Sequence, residues 1–161
     1  MDNVLVGIVM GSESDLPIMR AAAEFLAEFG IGSEVIIASA HRSPDLAADF
    51  AKGAEGRGLE VIIAGAGMAA HLPGVLAAFT VLPVIGVPIQ SGALNGMDAL
   101  LAIAQMPPGV PVATVAVNGA KNAGILAAQI IGTKNPAVRD KLKQLKIKMA
   151  EDVVKKSKVK L

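Results

Sequence analysis

The stretch VLVGIVM at Val4–Met10, followed at once by the polar loop GSESD at residues 11–15, decides the fold. Seven uncharged residues in a row are typical of a strand that is buried on both faces of a parallel sheet. An amphipathic segment then covers residues 16–29 and ends at Gly30, as a helix does. A buried strand, a polar loop and a helix in this order begin a βαβ unit.

The same alternation continues along the chain. Nothing repeats internally and no linker interrupts the pattern, so residues 1–132 are predicted to form a single α/β domain with a parallel sheet. Such sheets bind ligands beyond the carboxyl ends of their strands, and the polar loops fall there. Further strands are predicted at residues 34–38 (EVIIA), 59–64 (LEVIIA), 84–87 (VIGV) and 112–117 (VATVAV), with helices at residues 44–58, 72–78, 96–105 and 123–131.

Composition excludes several classes of protein. The chain has 161 residues, 53% of them hydrophobic, with 17 Gly and neither Trp nor Tyr, which favours a layered α/β domain. It has no Cys, so disulfides, Cys-ligated zinc and thiol catalysis are excluded. No basic segment precedes the first apolar run, and no run of about 18 apolar residues occurs. A cytoplasmic location without membrane contact is therefore expected.

The basic residues are concentrated at the C-terminus. Residues 134–161 contain ten of the 15 Lys and Arg but only three of the 14 Asp and Glu. A basic tail can bind nucleic acid, but aromatic residues are missing from this one. We therefore predict that residues 133–161 form a basic helix that packs on the domain or on a neighbouring subunit, because apolar residues recur in it at helical spacing. These residues are Leu142, Leu145, Met149, Val153 and Val154.

Nucleotide-binding glycine motifs give little support for a dinucleotide site. The phosphate-loop pattern G-x-x-x-x-G-K-[ST] does not occur. Residues 65–70 (GAGMAA) satisfy G-x-G-x-x-G/A, but they follow the third predicted strand rather than the first. About twenty residues later, where an acid should hold the ribose, the sequence is IGVP at residues 85–88. The pattern therefore argues against a nicotinamide or flavin dinucleotide.

The first polar loop has two compatible interpretations. Ser12, Ser14 and Asp15 lie between a buried strand and a helix, where hydroxyls and free backbone N–H groups converge at a positive helix end. This arrangement suits a phosphate, and Asp15 could also accept hydrogen bonds from ribose hydroxyls. The structural alternative is ordinary capping of the helix by Ser or Asp side chains.

The second polar loop, SAHRSP at residues 39–44, contains one of only two His and one of only four Arg. Arg42 offers a fork of donors matched to phosphate oxygens. His41 can give and take a proton near neutral pH. The alternative is structural, with Arg42 paired to Asp45 or Asp49. The parallel position of a Ser-rich loop at the same sheet edge favours function.

The third loop, AGAGMAAHLPG at residues 64–74, has little side-chain chemistry apart from His71. Small residues let backbone amides approach a ligand and exclude water. We interpret His71 as a hydrogen-bonding wall or helix-start residue rather than a second catalyst. Two His thirty residues apart, without a nearby carboxylate, give no metal signature.

Together these loops resemble the class I N5-carboxyaminoimidazole ribonucleotide mutases of purine biosynthesis, the catalytic subunit of bacterial phosphoribosylaminoimidazole carboxylase. The likeness covers nearly the whole chain up to Gly132, with Ser43 and Met68 where Thr and Gly are common in similar sequences. The matching stretches are residues 10–15 (MGSESD), 39–44 (SAHRSP), 64–74, 82–88 (LPVIGVP), 105–107 (QMP), 109–114 (GVPVAT) and 121–124 (KNAG).

The resemblance implies a three-layer, flavodoxin-like (Rossmann-like) doubly wound fold and a homo-octamer with sites near subunit contacts. It implies that the domain at 1–132 moves a carboxylate from the exocyclic nitrogen of the substrate to C4 of the imidazole, without cofactor or metal. Arg42 with Ser12 and Ser14 would hold the phosphate, Asp15 the ribose, and Ser39 would line the pocket. His41 would be the general acid and base. Residues 66–72, including Gly67, His71 and Leu72, would enclose the carboxylate and transient carbon dioxide.

Two other functions remain open at the level of the sequence. The related class II enzyme carboxylates aminoimidazole ribonucleotide directly with carbon dioxide, but the stretch AAHLPG at residues 69–74 resembles class I. A non-catalytic nucleotide-binding module on the same fold would need only the phosphate and ribose groups. Such a module would leave His41 without a role.

Overall fold

The computed structural model describes residues 4–157, and they form one five-stranded sheet in which every pair of neighbouring strands is parallel. The strand order is β2-β1-β3-β4-β5, the order of flavodoxin-like proteins. The predicted α/β fold with a doubly wound parallel sheet is therefore confirmed. The strands are β1 at Val4–Met10, β2 at Gly32–Ile37, β3 at Val61–Gly67, β4 at Val84–Ile89 and β5 at Ala113–Thr114.

Helices cover both faces of this sheet and complete three layers. One face is covered by α1 and α5, and the other by α2, α3 and α4. The helices are α1 at Leu16–Glu28, α2 at Pro44–Ala54, α3 at Leu72–Phe79, α4 at Met97–Ala104, α5 at Ala120–Gly132 and α6 at Pro136–Lys156.

The central strand β1 shows why the sequence adopts this arrangement. Val6, Ile8 and Met10 are fully buried in the cluster beneath α1 and α5, whereas Val9 is fully buried in the cluster on the opposite face. Side chains alternate between the faces of a strand, so a strand covered on both faces needs apolar residues at successive positions. This explains the unbroken apolar run with which the chain begins.

Several boundaries differ from the predictions, including those of β3, β5 and α2. Strand β3 continues to Gly67, because Ala66 and Gly67 remain in register with Pro88 and Ile89 of β4. Strand β5 has only two residues rather than the six predicted at 112–117, and it pairs with β4 alone. Helix α2 ends at Ala54, where a 3-10 turn takes over.

The basic C-terminal segment forms the helix α6 through Lys156, and residues 158–161 lie outside the described part. Asn135 caps its start by accepting N–H bonds from Ala137 and Val138. Its apolar residues are divided: Leu142 and Leu145 pack against the core, but Met149, Val153 and Val154 are exposed. Docking of the whole apolar stripe thus stays a prediction. Between residues 4 and 157, no helix is long and apolar enough to cross a membrane.

Candidate active site

A cavity of about 500 Å³ opens at the carboxyl ends of β1, β2 and β3. Such a position is where doubly wound sheets bind their ligands. The cavity brings together all nine site residues predicted from the sequence, although they come from three separate stretches of the chain. These nine are Ser12, Ser14, Asp15, Ser39, His41, Arg42, Gly67, His71 and Leu72.

The loop after β1 is a capped turn that also lines the cavity. The Ser12 hydroxyl accepts the N–H of Ser14 at 3.4 Å, and the Asp15 carboxylate accepts the N–H of Ser12 at 3.1 Å. This reciprocal pattern is a capping box. The Ser14 hydroxyl donates to the Ser12 hydroxyl at 3.0 Å. Capping and ligand binding are therefore compatible here, because the same hydroxyls face the cavity.

Asp15 is the one buried charged residue among those described. Burial raises the pKa of its carboxyl above the ordinary 3.8, since the charged form loses water. Hydrogen bonds from Ser12, Ser14 and Gly11 and the nearby charge of Arg42 oppose this rise. Burial therefore outweighs these opposing interactions and disfavours the charge on Asp15.

The loop after β2 is a tight turn braced by its own serines. The N–H of Ser43 donates to the carbonyl of Ser39 at 2.9 Å, and the Ser43 hydroxyl accepts the N–H of Ser39 at 2.9 Å. The Ser39 hydroxyl accepts the N–H of Arg42 at 3.2 Å. These bonds fix the backbone from which His41 and Arg42 project.

Arg42 extends across to the loop after β1, where its Nη2 donates to the carbonyl of Gly11 at 3.0 Å. In the part of the chain that is described, it forms no ion pair with Asp45 or Asp49. The pairing of Arg42 with Asp45 or Asp49 that the sequence suggested is therefore wrong. A guanidinium has five N–H donors, so most of the fork remains available to a ligand.

Glycine is required where β3 meets the cavity. A Cβ at Gly67 would lie 2.6 Å from the Ser91 hydroxyl and 3.1 Å from the Ile89 carbonyl. The next residue, Met68, has φ of 53°, in the left-handed region that costs a non-glycine residue about 1–2 kcal/mol. Its side chain is 59% exposed. The backbone thus turns sharply here and brings residues 68–72 over the cavity.

The two histidines of the chain meet at this cavity. Nε2 of His41 lies 2.6 Å from Nδ1 of His71, and the rings are perpendicular. His71 is the N-cap residue of α3, but its side chain makes no capping bond. Spacing in the sequence did not predict this contact, because the two residues follow strands that are separated by β1.

Sequence reasoning missed one polar residue of the cavity. Ser91 lies two residues beyond the end of β4, and its hydroxyl is buried without a hydrogen-bond partner among residues 4–157. Its position after a strand was the signal that could have found it. Residues 4–157 contain no group of three or more His, Cys, Asp or Glu side chains that could hold a metal ion.

Comparison with known proteins assigns the family. The profile of the family described as AIR carboxylase matches residues 5–152. The chain belongs to the AIR carboxylase family.

Some members of the AIR carboxylase family are closely similar to this chain in sequence or in structure. The N5-carboxyaminoimidazole ribonucleotide mutase of Thermotoga maritima is 61% identical over 152 residues, covering 94% of this chain and 89% of the relative. The protein of that name from Pyrococcus horikoshii is 60% identical, covering 96% and 87%. A crystal structure of a Treponema denticola PurE2 variant matches with a TM-score of 0.89 and 29% identity over 99% of each chain.

The placement of the glycine pattern in the fold agrees with the argument against a dinucleotide site. The residues GAG of the G-x-G-x-x-A pattern lie inside β3, at Val61–Gly67, rather than in a loop that enters a helix. Their lack of side chains serves packing, since a Cβ at Gly65 would collide with Met19 of α1. The pattern therefore matches the dinucleotide-binding motif in sequence but not in structural position.

Proposed function

We propose that this chain is an N5-carboxyaminoimidazole ribonucleotide mutase, which moves the carboxylate of its substrate from the exocyclic nitrogen to C4 of the imidazole. The observation that carries the proposal is the cavity in which His41, the guanidinium fork of Arg42 and the hydroxyls of Ser12 and Ser14 converge. The two curated relatives described above carry the same name.

Arg42, Ser12 and Ser14 would hold the phosphate. The fork of Arg42 is anchored by one bond to Gly11 and keeps further donors for phosphate oxygens. Both hydroxyls lie just before α1, where helix N–H groups favour an anion. Together these groups would orient the nucleotide with its imidazole toward His41.

Asp15 would accept hydrogen bonds from the ribose hydroxyls, and Ser39 would line the same side of the pocket. Hydroxyl donors would replace the water that the buried carboxylate of Asp15 has lost. Their hydrogen bonds stabilise the charged form, so substrate binding would lower the raised pKa of Asp15. Ribose binding and ionisation of Asp15 are therefore expected to support each other.

His41 would exchange the proton that the rearrangement needs. Its cationic form protonates the exocyclic nitrogen as the bond from that nitrogen to the carboxylate carbon breaks and carbon dioxide leaves. Carbon dioxide then bonds to C4, and neutral His41 removes the C4 proton. One proton leaves His41 and one returns, so the reaction is balanced without another acid or base.

Gly67, His71 and Leu72 would enclose the carboxylate and the transient carbon dioxide. The close approach of Gly67 to Ser91 leaves no room for a side chain at residue 67 on this wall. Carbon dioxide released in a closed space remains beside C4, which favours its recapture over escape.

The deciding experiment measures turnover of the purified protein on two substrates. N5-carboxyaminoimidazole ribonucleotide should be converted without added bicarbonate, and aminoimidazole ribonucleotide should react poorly at low bicarbonate. Faster bicarbonate-dependent carboxylation of aminoimidazole ribonucleotide would indicate a class II enzyme. Binding of either nucleotide without turnover would indicate a nucleotide-binding module.

We propose further that the protein is a cytoplasmic homo-octamer. Only 18% of its residues are charged, and apolar side chains such as Leu94, Met97 and Leu101 are more than half exposed in the single chain. Burial between subunits removes such surface from water at about 25 cal/mol per Å². Light scattering should give a mass near eight chains that persists at micromolar concentration, whereas a stable, active monomer would contradict the assembly.

A further inference from the structure

The contact between the two histidine rings fixes how protons are distributed in the site. A distance of 2.6 Å between Nε2 of His41 and Nδ1 of His71 is a hydrogen-bonding distance between two ring nitrogens. Such a bond contains a single proton, so one nitrogen donates and the other accepts. The positions of the protons on the two rings are therefore linked.

Backbone hydrogen bonds fix the two segments from which the rings project. His71 donates its N–H to the carbonyl of Ala69 at 2.8 Å, and its carbonyl accepts from Val75 in the first turn of α3 at 2.9 Å. His41 projects from the turn that Ser39 and Ser43 close. The contact thus joins two braced segments.

The acid form of His41 has only one arrangement that keeps this bond. A cationic imidazole carries a proton on each nitrogen, so its Nε2 must donate. Nδ1 of His71 must then accept, and the proton of His71 lies on its own Nε2. The proton that His41 can deliver to a substrate is the one on Nδ1.

We propose that His71 is a positioning residue, which accepts the Nε2–H of His41 throughout the reaction and so keeps Nδ1 of His41 as the atom that gives and takes the proton. This inference rests on the proposed mutase function. After Nδ1 has protonated the exocyclic nitrogen, Nε2 keeps its proton because His71 binds it. The lone pair on Nδ1 is then ready for the C4 proton.

Without His71, neutral His41 would populate both tautomers. The tautomer with its proton on Nδ1 has no lone pair on that nitrogen to take the C4 proton. A fraction of the protein would then be unable to complete the second half of the reaction. The loss should appear in kcat, because the phosphate and ribose contacts do not involve His71.

Two variants of His71 separate the effect of losing the hydrogen bond from the effect of changing the size of the side chain. The amide oxygen of Asn in His71→Asn stands near the position of Nδ1 and can accept the bond, whereas His71→Leu has similar size and cannot. We expect kcat to stay within about threefold for the Asn variant and to fall roughly tenfold to a hundredfold for the Leu variant, by analogy with groups that orient metal-bound histidines. KM should change less than about threefold in both. Val81→Ala, at an exposed position just beyond α3, is the control with unchanged kinetics.

An increase in KM of the Leu variant with unchanged kcat would overturn the proposal and leave His71 as a binding residue alone. Equal losses of kcat in the Asn and Leu variants would overturn it as well. Thermal unfolding and light scattering on each variant establish that it folds and assembles like the wild type.

Nitrogen NMR tests the proposal without any substrate. The chain has only two His, so histidine labelled with ¹⁵N gives few signals, and solid-state measurement suits a large assembly. We expect a through-space correlation between the two rings, with neutral His41 protonated on Nε2, and a mixture of tautomers in His71→Leu. Neutral His41 protonated on Nδ1 in the wild type would overturn the proposal. Failure of the proposed function would appear separately, as a wild type that does not turn over the carboxylated nucleotide.

Discussion

Two arginines donate hydrogen bonds to backbone carbonyls at the ends of structural elements, but their surroundings differ. Arg42 donates once, from Nη2 to Gly11 at 3.0 Å, beside the cavity at the sheet edge. Arg139 donates twice, from Nε to Gly132 and from Nη2 to Thr133, both at 2.8 Å. Its bonds satisfy carbonyls that are left without partners at the end of α5.

The comparison shows that residue type alone does not distinguish a ligand-binding arginine from a structural one. Arg139 also borders a cavity, of about 320 Å³, but that cavity is formed between α5 and α6 and is lined by neither a histidine nor a carboxylate. The cavity of Arg42 has His41, hydroxyls and a helix start beside it. The two arginines differ in how many N–H donors remain for a ligand and in which groups surround those donors.

The largest effect is expected at the sheet-edge site. His41→Asn should remove most turnover, by about 10²–10⁴-fold, because a positioned acid–base group commonly contributes that much. Binding of the substrate should remain nearly unchanged, as measured by calorimetry. If turnover of this variant stayed within threefold of wild type, the acid–base role would belong to another residue, with His71 the first candidate.

Arg42→Leu should act mainly on affinity. Loss of charge-assisted bonds worth about 1.5–3 kcal/mol each should raise KM for the phosphorylated substrate roughly tenfold or more. Arg42→Lys should restore only part of the loss, since a point charge lacks the fork. If the unphosphorylated nucleoside binds the wild type as well as the nucleotide does, Arg42 is not a phosphate ligand.

Arg139→Leu is the matched variant at the second arginine. It should leave KM unchanged and lower the melting temperature by about 2–4 °C, because a loss near 1 kcal/mol has that effect in a domain of this size. Calorimetric unfolding and the same kinetic assay measure both quantities. A raised KM with an unchanged melting temperature would reverse the roles assigned to the two regions.

The smallest effect concerns the buried carboxyl. Because burial raises the pKa of Asp15, the folded state binds its proton more tightly than the unfolded state. This contribution to stability is complete below the unfolded value of about 3.8 and is lost as pH rises through the folded pKa. Asp15→Asn should therefore raise the melting temperature slightly at pH 7 and have less effect in acid. A lower melting temperature at pH 7 would mean that the hydrogen bonds of Asp15 outweigh its burial.

The sheet and its first loops could be predicted because local patterns determine them. Strand β1 was predicted with its observed bounds, since a strand buried on both faces has an unbroken apolar run. Strand β5 was predicted too long, because apolar alternation cannot tell a paired strand from an extended segment. The extension of β3 to Gly67 depends on its register with β4, which lies outside any local window.

The site was partly predictable for the same reason. The parallel sheet brings the loops after β1, β2 and β3 to one edge, so their polar residues could be grouped without coordinates. The sequence could not show that His41 and His71 reach each other, because that depends on side-chain directions across β1. It also could not show whether the Arg42 side chain pairs with Asp45 or donates a hydrogen bond to the carbonyl of Gly11. Each partner is within reach of a side chain as long as that of arginine.

Strand β2 at the sheet edge bears on how the protein is made in the cell. Within residues 4–157 it pairs with β1 alone, and its Val35 and Ile37 side chains are about half exposed. A free strand edge with apolar side chains is a template for pairing with another chain. A newly synthesised chain that exposes this edge is therefore prone to pair with the edges of other unfinished chains. Slow production at lower temperature should favour a high yield of active protein, whereas rapid overproduction should send the chain into insoluble aggregates.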